Sequence, residues 1–494
     1  MGYEDAKKKT MKGRLRLYWL TAVICLGGML FGYDSGVVGG VLTLENFEKD
    51  FGYTKAESTT VSSIAVGIQQ AGALVGCFAV WPVTKVLGRR KTILICSLVF
   101  IIGVVLETIN SGSIECFYVG RVICGLGIGG SATIIPIYLS EMAPKEDRGR
   151  LGSCYQLMYT VGILISYWVD YGVRNREGSS QWQIPISLQM VPCGLMGLGM
   201  FTLKESVRWL LSKERSEEAW ESLVWIRGTD NEDVAAEFEE IHEGIISDRH
   251  AMAGFTLKEL LEWPNLRRLL LGFMIFVCQQ STGATALAYF SPQFFTLLVG
   301  EGDKNLLLSG VFGAIKVVAC LTFVLFISER FGRKPLLLFG SAFMSACMIS
   351  TAAVVKTHPP PGGGVVTSSG IATVALIYLN IIVYNASWGP LPWPCTSELF
   401  PTRIREVGVA TGVGGQWLFN FVYSFSTPYM MEAWDWGTFL FYGIIDLFCG
   451  AFVWFCLKET ANLTLEEINA LYDPKQYQGT IAAKRTSVEH AENA

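Results

Sequence analysis

The chain has 494 residues, 51% of them hydrophobic and only 17% charged, and its mean hydropathy of +0.38 does not suit a water-soluble surface, so lipid is the expected solvent. A formal charge of -4, without a basic patch interleaved with aromatics outside the apolar stretches, argues against nucleic acid as a partner. Thirteen cysteines stand mostly singly inside apolar runs without CxxC spacing, and they read as small packing residues.

Lys7, Lys8, Lys9, Lys12, Arg14 and Arg16 precede the first apolar run. That run continues through Phe31-Gly-Tyr-Asp34 with no small-residue cleavage site, so a first membrane helix is expected rather than a signal peptide. On a template of about 20 mostly apolar residues per span, helices are expected over 17–39, 61–83, 92–110, 116–139, 152–171 and 184–203. Residues 204–266 are polar, with helical tracts through Glu217-Glu218-Ala219-Trp220 and from Val234 to Ile246. Six more spans follow over 268–298, 306–328, 335–356, 370–395, 405–428 and 436–457. The expected organisation is a short N-terminal segment (1–16), a six-helix bundle (17–203), a helical linker (204–266), a second six-helix bundle (267–457) and a tail (458–494).

Arg89, Arg90 and Lys91, then Lys145, Arg148 and Arg150, then Arg330, Arg333 and Lys334, then Arg403 and Arg405 all fall in loops on one side, together with the linker and both termini. By the bias of Lys and Arg in short loops, that side is expected to be cytoplasmic. The other loops carry little positive charge, among them the Pro359-Pro-Pro-Gly-Gly-Gly364 stretch. An internal repeat agrees: Gly88-Arg-Arg90 is echoed by Gly332-Arg-Lys334, and Ser140-Glu-Met-Ala-Pro144 by Ser397-Glu-Leu-Phe-Pro401. Two related halves with a binding site near the midplane between them are implied.

These motifs carry a resemblance. With Gly32-Tyr-Asp34, Arg121, Pro136-x-Tyr138-x-Ser140-Glu141, Glu205-Ser-x-Arg208-Trp209, Gln279-Gln280-x-x-Gly283, Gly389-Pro-Leu-Pro-Trp393 and Lys458-Glu-Thr460, the chain resembles the sugar porters of the major facilitator superfamily along nearly its whole length. The resemblance implies an all-α membrane protein of twelve transmembrane helices in two pseudo-symmetric bundles, resident in the plasma membrane, working as a monomer without a cofactor other than a coupling proton. The Gly125-Leu-Gly127-Ile-Gly129-Gly130 run mimics a dinucleotide loop, but such a loop needs a strand before it. Inside an apolar helix, close packing through small residues is expected instead.

Ionisable groups inside spans are costly and therefore functional candidates. Asp34 and Arg121 are the first pair. The resemblance makes Asp34 the proton-binding group and Arg121 its partner; the alternative is a static ion pair between the first and fourth spans. Gln156, Gln279, Gln280, Trp393, Gln416 and Asn420 offer the amides and the aromatic face that a sugar needs, and the resemblance places all six around the central site. Gln416 and Asn420 share a helix face; the alternative for such amides is interhelical hydrogen bonding.

Departures from the family pattern bear on the substrate. Thr285 stands where Asn is usual, Asn385 where many hexose carriers have an acidic residue, and Lys316 where an amide commonly lines the cavity. An ammonium at mid-span needs a counter-charge. If a substrate carboxylate supplies it, the chain would resemble the fungal quinate and galacturonate permeases; otherwise a protein carboxylate or helix-end carbonyls must, with a neutral sugar as cargo. Arg89, Glu141, Arg148 and Glu205 mirror Arg333, Glu398, Arg403 and Glu459. The resemblance makes these ion pairs that stabilise the outward-facing state, beside their role in setting topology. Lys85 stands where the family often has Asp or Asn, and Asp446 is a further buried charge with no assigned role.

The expected function is proton-coupled uptake of a monosaccharide or a monosaccharide-derived acid by alternating access, with Gly32, Gly283, Gly389 and Pro390 as flexible points. An uncoupled facilitator and a non-transporting sensor are the alternatives, and the short tail disfavours the sensor. An enzyme is not expected: no nucleophile with a base and no metal-ligand cluster is visible, and the four histidines lie outside the spans.

Overall fold

The computed structural model describes residues 11–460 apart from 145–146, 253–255, 301, 303, 328–329 and 361–366, together with 468, 471 and 472. Lys7, Lys8, Lys9, Lys145, Gly362 to Gly364 and the tail beyond Thr460 except those three residues lie outside it.

The described residues are helical nearly throughout. In the first half, α1 (Met11–Val41) leads to a short α2 (Glu45–Phe51), then α3 (Ser58–Leu87), α4 (Arg89–Thr108), α5 (Ile114–Met142) and α6 (Arg148–Val173). A sixth span is made of α7 (Ser180–Leu188) and α8 (Met190–Met200) in line. The linker holds α9 (Val207–Ser212), α10 (Ser216–Arg227), α11 (Glu232–Met252) and a 3-10 turn at Leu257–Leu261. The second half opens with a span broken into α12 (Trp263–Ser281), α13 (Ala284–Tyr289) and α14 (Ser291–Val299). It continues with α15 (Lys304–Thr322), extended by a π-helical turn over Phe323–Ile327, and with α16 (Arg333–Thr357). Then come α17 (Ser368–Ala386) and α18 (Pro392–Leu399), which make one interrupted span, followed by α19 (Arg405–Trp434) and α20 (Trp436–Cys456). Eight of these helices are long and apolar enough to cross a membrane as single pieces. The remaining spans are broken or carry more polar residues, and the described residues make twelve spans, six on either side of the linker.

Each break has a local cause. At Gly283 the backbone is left-handed, φ +76°, a conformation that favours glycine, and a Cβ there would meet the Tyr442 ring at 2.6 Å. Between α17 and α18 the run Gly389-Pro-Leu-Pro392 removes two backbone donors next to a glycine, and the helix is interrupted there. Gly125, Gly127 and Gly129 do the packing work expected of them. A Cβ on either of the first and last would strike the α3 backbone at Gln69 and Ala73, and one on Gly127 would strike α4 at Cys96 and Phe100. Outward-facing Leu98, Leu198, Val318 and Phe455 are exposed, as lipid contact requires.

The two halves touch through α3 with α19, α6 with α15, and α1 with α13 and α14. We call the end of the bundle that carries the linker the linker end and its opposite the far end. Toward the far end the halves are joined by hydrogen bonds: Tyr167 donates to the Ala288 carbonyl, Gln293 to that of Gly39 at 3.2 Å, and Tyr429 to Thr60 Oγ1 at 3.4 Å. The Gly39 and Tyr289 backbones are so close that a Cβ on Gly39 would overlap the Tyr289 carbonyl. Nearer the linker end, a Cβ on Gly152 would meet nothing within 4 Å.

Candidate functional site

Asp34 and Arg121 do meet, deep in the first half. Arg121 Nη1 lies 3.0 Å from Asp34 Oδ1, and the two residues are 0% and 2% exposed. The guanidinium's other donors are also used: Nε donates to the Ala65 carbonyl at 3.0 Å, and Nη2 donates to Gln69 Oε1. Gln69 in turn donates through Nε2 to Asp34 Oδ2, closing a ring of three side chains from α1, α3 and α5. A second carboxylate completes the cluster: Glu107 of α4, fully buried, places Oε1 3.6 Å from Arg121 Nη1. Its Oε2 accepts a hydrogen bond from Gln189 Nε2 at 3.5 Å. Burying charges is tolerable only when they are paired and hydrogen-bonded, and this cluster meets the condition through five elements.

Glu107, Gln69, Gln189 and a further buried carboxylate, Asp170, were not among the expected site residues. Glu107 and Asp170 fall near the ends of the expected spans 92–110 and 152–171, where a charge ordinarily reaches the interface, so position alone gives no signal that they are buried. Both carboxylate oxygens of Asp170 lack a hydrogen-bond partner, and they pack against Gly40 of α1. Asp446 on α20 is likewise fully buried with neither oxygen bonded.

Between the halves lies an aromatic and amide-rich surface. Lys316, 3% exposed on α15, holds its ammonium 5.4 Å from the Tyr159 ring of α6. Among the described residues no carboxylate comes within ion-pair distance of it. Tyr159 stacks on Phe31 at 4.9 Å, Phe31 on Trp417 at 5.5 Å, and Tyr289 and Tyr384 lie beside Tyr159. Thr285 lies beside Tyr384. Asn420 donates to the Tyr289 hydroxyl at 3.3 Å. Gln279 Nε2 donates to the carbonyls of Trp388 and Gly389 at 3.1 and 2.9 Å, which ties α12 to the bend between α17 and α18. The carbonyl oxygens of Gln279, Gln280, Gln416 and Asn420 are buried without a hydrogen-bond partner. Such acceptors are expensive to leave unmade.

Three further expected binding residues lie on α17, α18 and α6. Asn385 turns its amide back onto the Ile381 carbonyl of its own helix at 2.8 Å, the bond nearest to hand where α17 ends. Trp393 is 38% exposed, edge-on to Phe276 at 5.0 Å, and Gln156 on α6 is half-buried.

At the linker end the mirrored charges form two similar clusters, each within one half. Glu205 accepts the backbone N–H groups of Arg89 and Arg90 at 2.9 and 3.1 Å; Glu459 accepts those of Arg333 and Lys334 at 3.0 and 2.9 Å. A carboxylate on the first N–H groups of a helix is favoured by the orphan donors and by the helix dipole. Arg89 grips Glu141 with two bonds of 2.9 and 2.8 Å, and Arg333 reaches Glu398 at 3.3 Å. Ser206 and Thr460, each next to the capping glutamate, donate to Glu141 at 2.5 Å and Glu398 at 2.7 Å. The last mirrored pair diverges: Arg148 donates to the Ala143 carbonyl at 3.2 Å, whereas Arg403 binds Glu259 of the linker at 2.8 Å.

Known proteins resemble this chain. The quinate permease of Emericella nidulans is 34% identical over 474 residues, covering 93% of this chain and 89% of that one. The structure of the proton:xylose symporter XylE bound to 6-bromo-6-deoxy-D-glucose superposes with a TM-score of 0.75 at 26% identity, covering 93% of this chain and all of that one. The inward open conformation of XylE from E. coli gives 0.77 at 26% identity, over 92% of this chain and 100% of that one. The family model described as Sugar (and other) transporter matches residues 20–472. A match that begins within the first helix and runs through both mirrored clusters leaves one conclusion: the chain belongs to the sugar porter family of the major facilitator superfamily, and is a transporter rather than an enzyme.

Proposed function

We propose that this chain carries a polyhydroxylated monocarboxylate of the quinate or sugar-acid type across the plasma membrane together with a proton, by rocking of the two halves about the central site. The observation that carries the reading is Lys316. A lone ammonium buried at mid-span is among the least tolerable of arrangements, and a substrate carboxylate is the counter-charge that the described residues do not supply. Gln279, Gln280, Gln416 and Asn420 turn unmet acceptors toward the hydroxyls of such a solute, with Tyr159, Tyr289 and Thr285 beside them and Gln156 and Trp393 toward the linker end. Asn385 acts through the bend rather than on the solute. The name of the Emericella nidulans relative supports the acid, and the symport named for XylE supports the proton.

In this reading Asp34 takes up the proton and Arg121 holds its charged form in place. The linker end is cytoplasmic, and the far-end contacts of Tyr167, Gln293 and Gly39 close the external side while the site opens inward. Arg89, Glu141, Arg148, Glu205, Arg333, Glu398, Arg403 and Glu459 are the charges whose partners differ between the inward and outward states. The protein works as a monomer.

The test is initial-rate uptake of labelled quinate, galacturonate, xylose and glucose into carrier-deficient cells, with and without a protonophore, by wild type and Lys316→Met. Expected are protonophore-sensitive uptake of an acid and a loss of about tenfold or more in that uptake in Lys316→Met. Wild-type uptake confined to neutral sugars would sink the carboxylate reading and favour a xylose-type cargo.

A further inference from the structure

The cluster around Arg121 holds one cation and two carboxylates, and that count bears on how a proton could be used there. With Asp34 and Glu107 both ionised, the site carries one negative charge in excess. With Asp34 protonated it is neutral. Had Glu107 been an amide, the same protonation would leave a bare guanidinium at 0% exposure, in surroundings where an uncompensated charge is costly. Glu107 is built for the alternative: its Oε1 lies 3.6 Å from the same Nη1 that binds Asp34 and has no hydrogen bond of its own. The groups facing Glu107 are Arg121 and Cys124 from α5, Asp34 from α1 and Gln189 at the junction of α7 and α8.

We propose that Glu107 is the positioning counter-ion that takes over Arg121 when Asp34 is protonated, so that the loading of the coupling proton exchanges one ion pair for another. One proton from the aqueous phase binds Asp34, Arg121 keeps its charge and shifts its pairing from Asp34 to Glu107, and Glu107 stays a carboxylate; release reverses each step. Only a few tenths of an ångström separate the 3.6 Å contact from a direct bond. Asp34, once neutral, retains Gln69 as its partner and is free to separate from α5. The proposal rests on Asp34 being the proton-binding group.

The test needs no substrate. The buried carboxylic acid band of the full-length protein in lipid is titrated by infrared difference spectroscopy in wild type, Asp34→Asn, Glu107→Gln, Glu107→Met and Glu107→Asp. Asp170 and Asp446 also contribute to the band, and Asp34→Asn is expected to remove the Asp34 component. Glu107→Gln, or Glu107→Met should the amide not fold, moves its midpoint about one to three pH units toward acid, because the negative neighbour that favoured protonation is gone. Glu107→Asp keeps the charge and holds the midpoint near that of wild type, a rescue that a merely structural role for Glu107 would not require. An unmoved midpoint of the Asp34 component in the neutral variants, with that component still lost in Asp34→Asn, overturns the counter-ion proposal and leaves Asp34 as the proton site. A titration left unchanged by Asp34→Asn overturns the reading of Asp34 itself, and this proposal with it.

Discussion

The two halves bury charge in opposite ways. In the first half Arg121 has an acceptor for each of its guanidinium nitrogens, drawn from α1, α3 and α4. In the second half Lys316 has an aromatic face and, among the described residues, no carboxylate. The fold would permit a closed network in either place, since the halves share their helix order and their linker-end clusters. What differs is where the counter-charge lies: within the chain for Arg121, and, in the function proposed above, on the transported solute for Lys316. On that proposal the first network keeps its partners between cycles, whereas the lone cation is balanced only while cargo is bound.

The sharpest way to break this contrast is to make the same change at both positions. Arg121→Met strips the cation from two buried carboxylates and is expected to cost about 3–5 kcal/mol of stability, the penalty of breaking a buried pair by removing one partner. Lys316→Met removes a charge that nothing in the described structure balances, and is expected to leave the substrate-free protein as stable as wild type or more so. Thermal unfolding of the purified proteins in the same detergent reads both. If Lys316→Met unfolds as readily as Arg121→Met, Lys316 is structurally paired and the contrast fails.

Much of this was legible in the sequence because the signals are local. Hydrophobic length announces the spans, Gly283 and the Gly389-Pro-Leu-Pro392 run mark the breaks, and the repeated Gly-Arg and Ser-Glu motifs reveal the mirrored clusters. The first half's ion pair could be expected from the resemblance, which pairs Asp34 with Arg121, and from the cost of an ionisable group inside a span. Glu107 could not: three residues from the end of its expected span, it owes its burial to the α7–α8 junction folding over it, a tertiary fact. The partner of Asn385 was hidden too, since its amide donates to Ile381 of its own helix. The partner of Arg403 was also hidden, because Glu259 lies in the linker and the sequence repeat pointed to the other half's pattern.

The mirrored linker-end clusters allow a finer comparison. Glu141 receives two bonds from Arg89 and one from Ser206, all at or below 2.9 Å, while Glu398 receives a 3.3 Å bond from Arg333 and one from Thr460. A bidentate, charge-assisted grip is the stronger arrangement. Glu141→Gln is therefore expected to lower stability by about 1 kcal/mol or somewhat more, and Glu398→Gln by less, both discounted because these groups are partly exposed. Unfolding midpoints of the two variants measured side by side give the order. Equal losses, or a larger loss at Glu398, would show that the halves are held equally at this end.

The smallest effect separates the halves by pH. Glu259 lies in the linker, outside the spans, where Arg403 donates to both of its oxygens at 2.8 and 3.0 Å. The hydrogen bonds from Arg403 hold its carboxyl below the ordinary value of 4.5. A carboxylate depressed in the docked state favours docking above its ordinary value and loses that contribution as pH falls through the docked one. In the first half the counterpart Arg148 donates to the backbone carbonyl of Ala143. Hydrogen exchange over 256–262, taken relative to Glu259→Gln at each pH, should therefore show protection that is constant at neutral pH and declines below about 4.5, with no matching change around Arg148. Protection that is flat across the acid range would mean that the linker is seated by packing of Leu260 and its neighbours, and that Arg403 sets the position of Glu259 without holding the linker down.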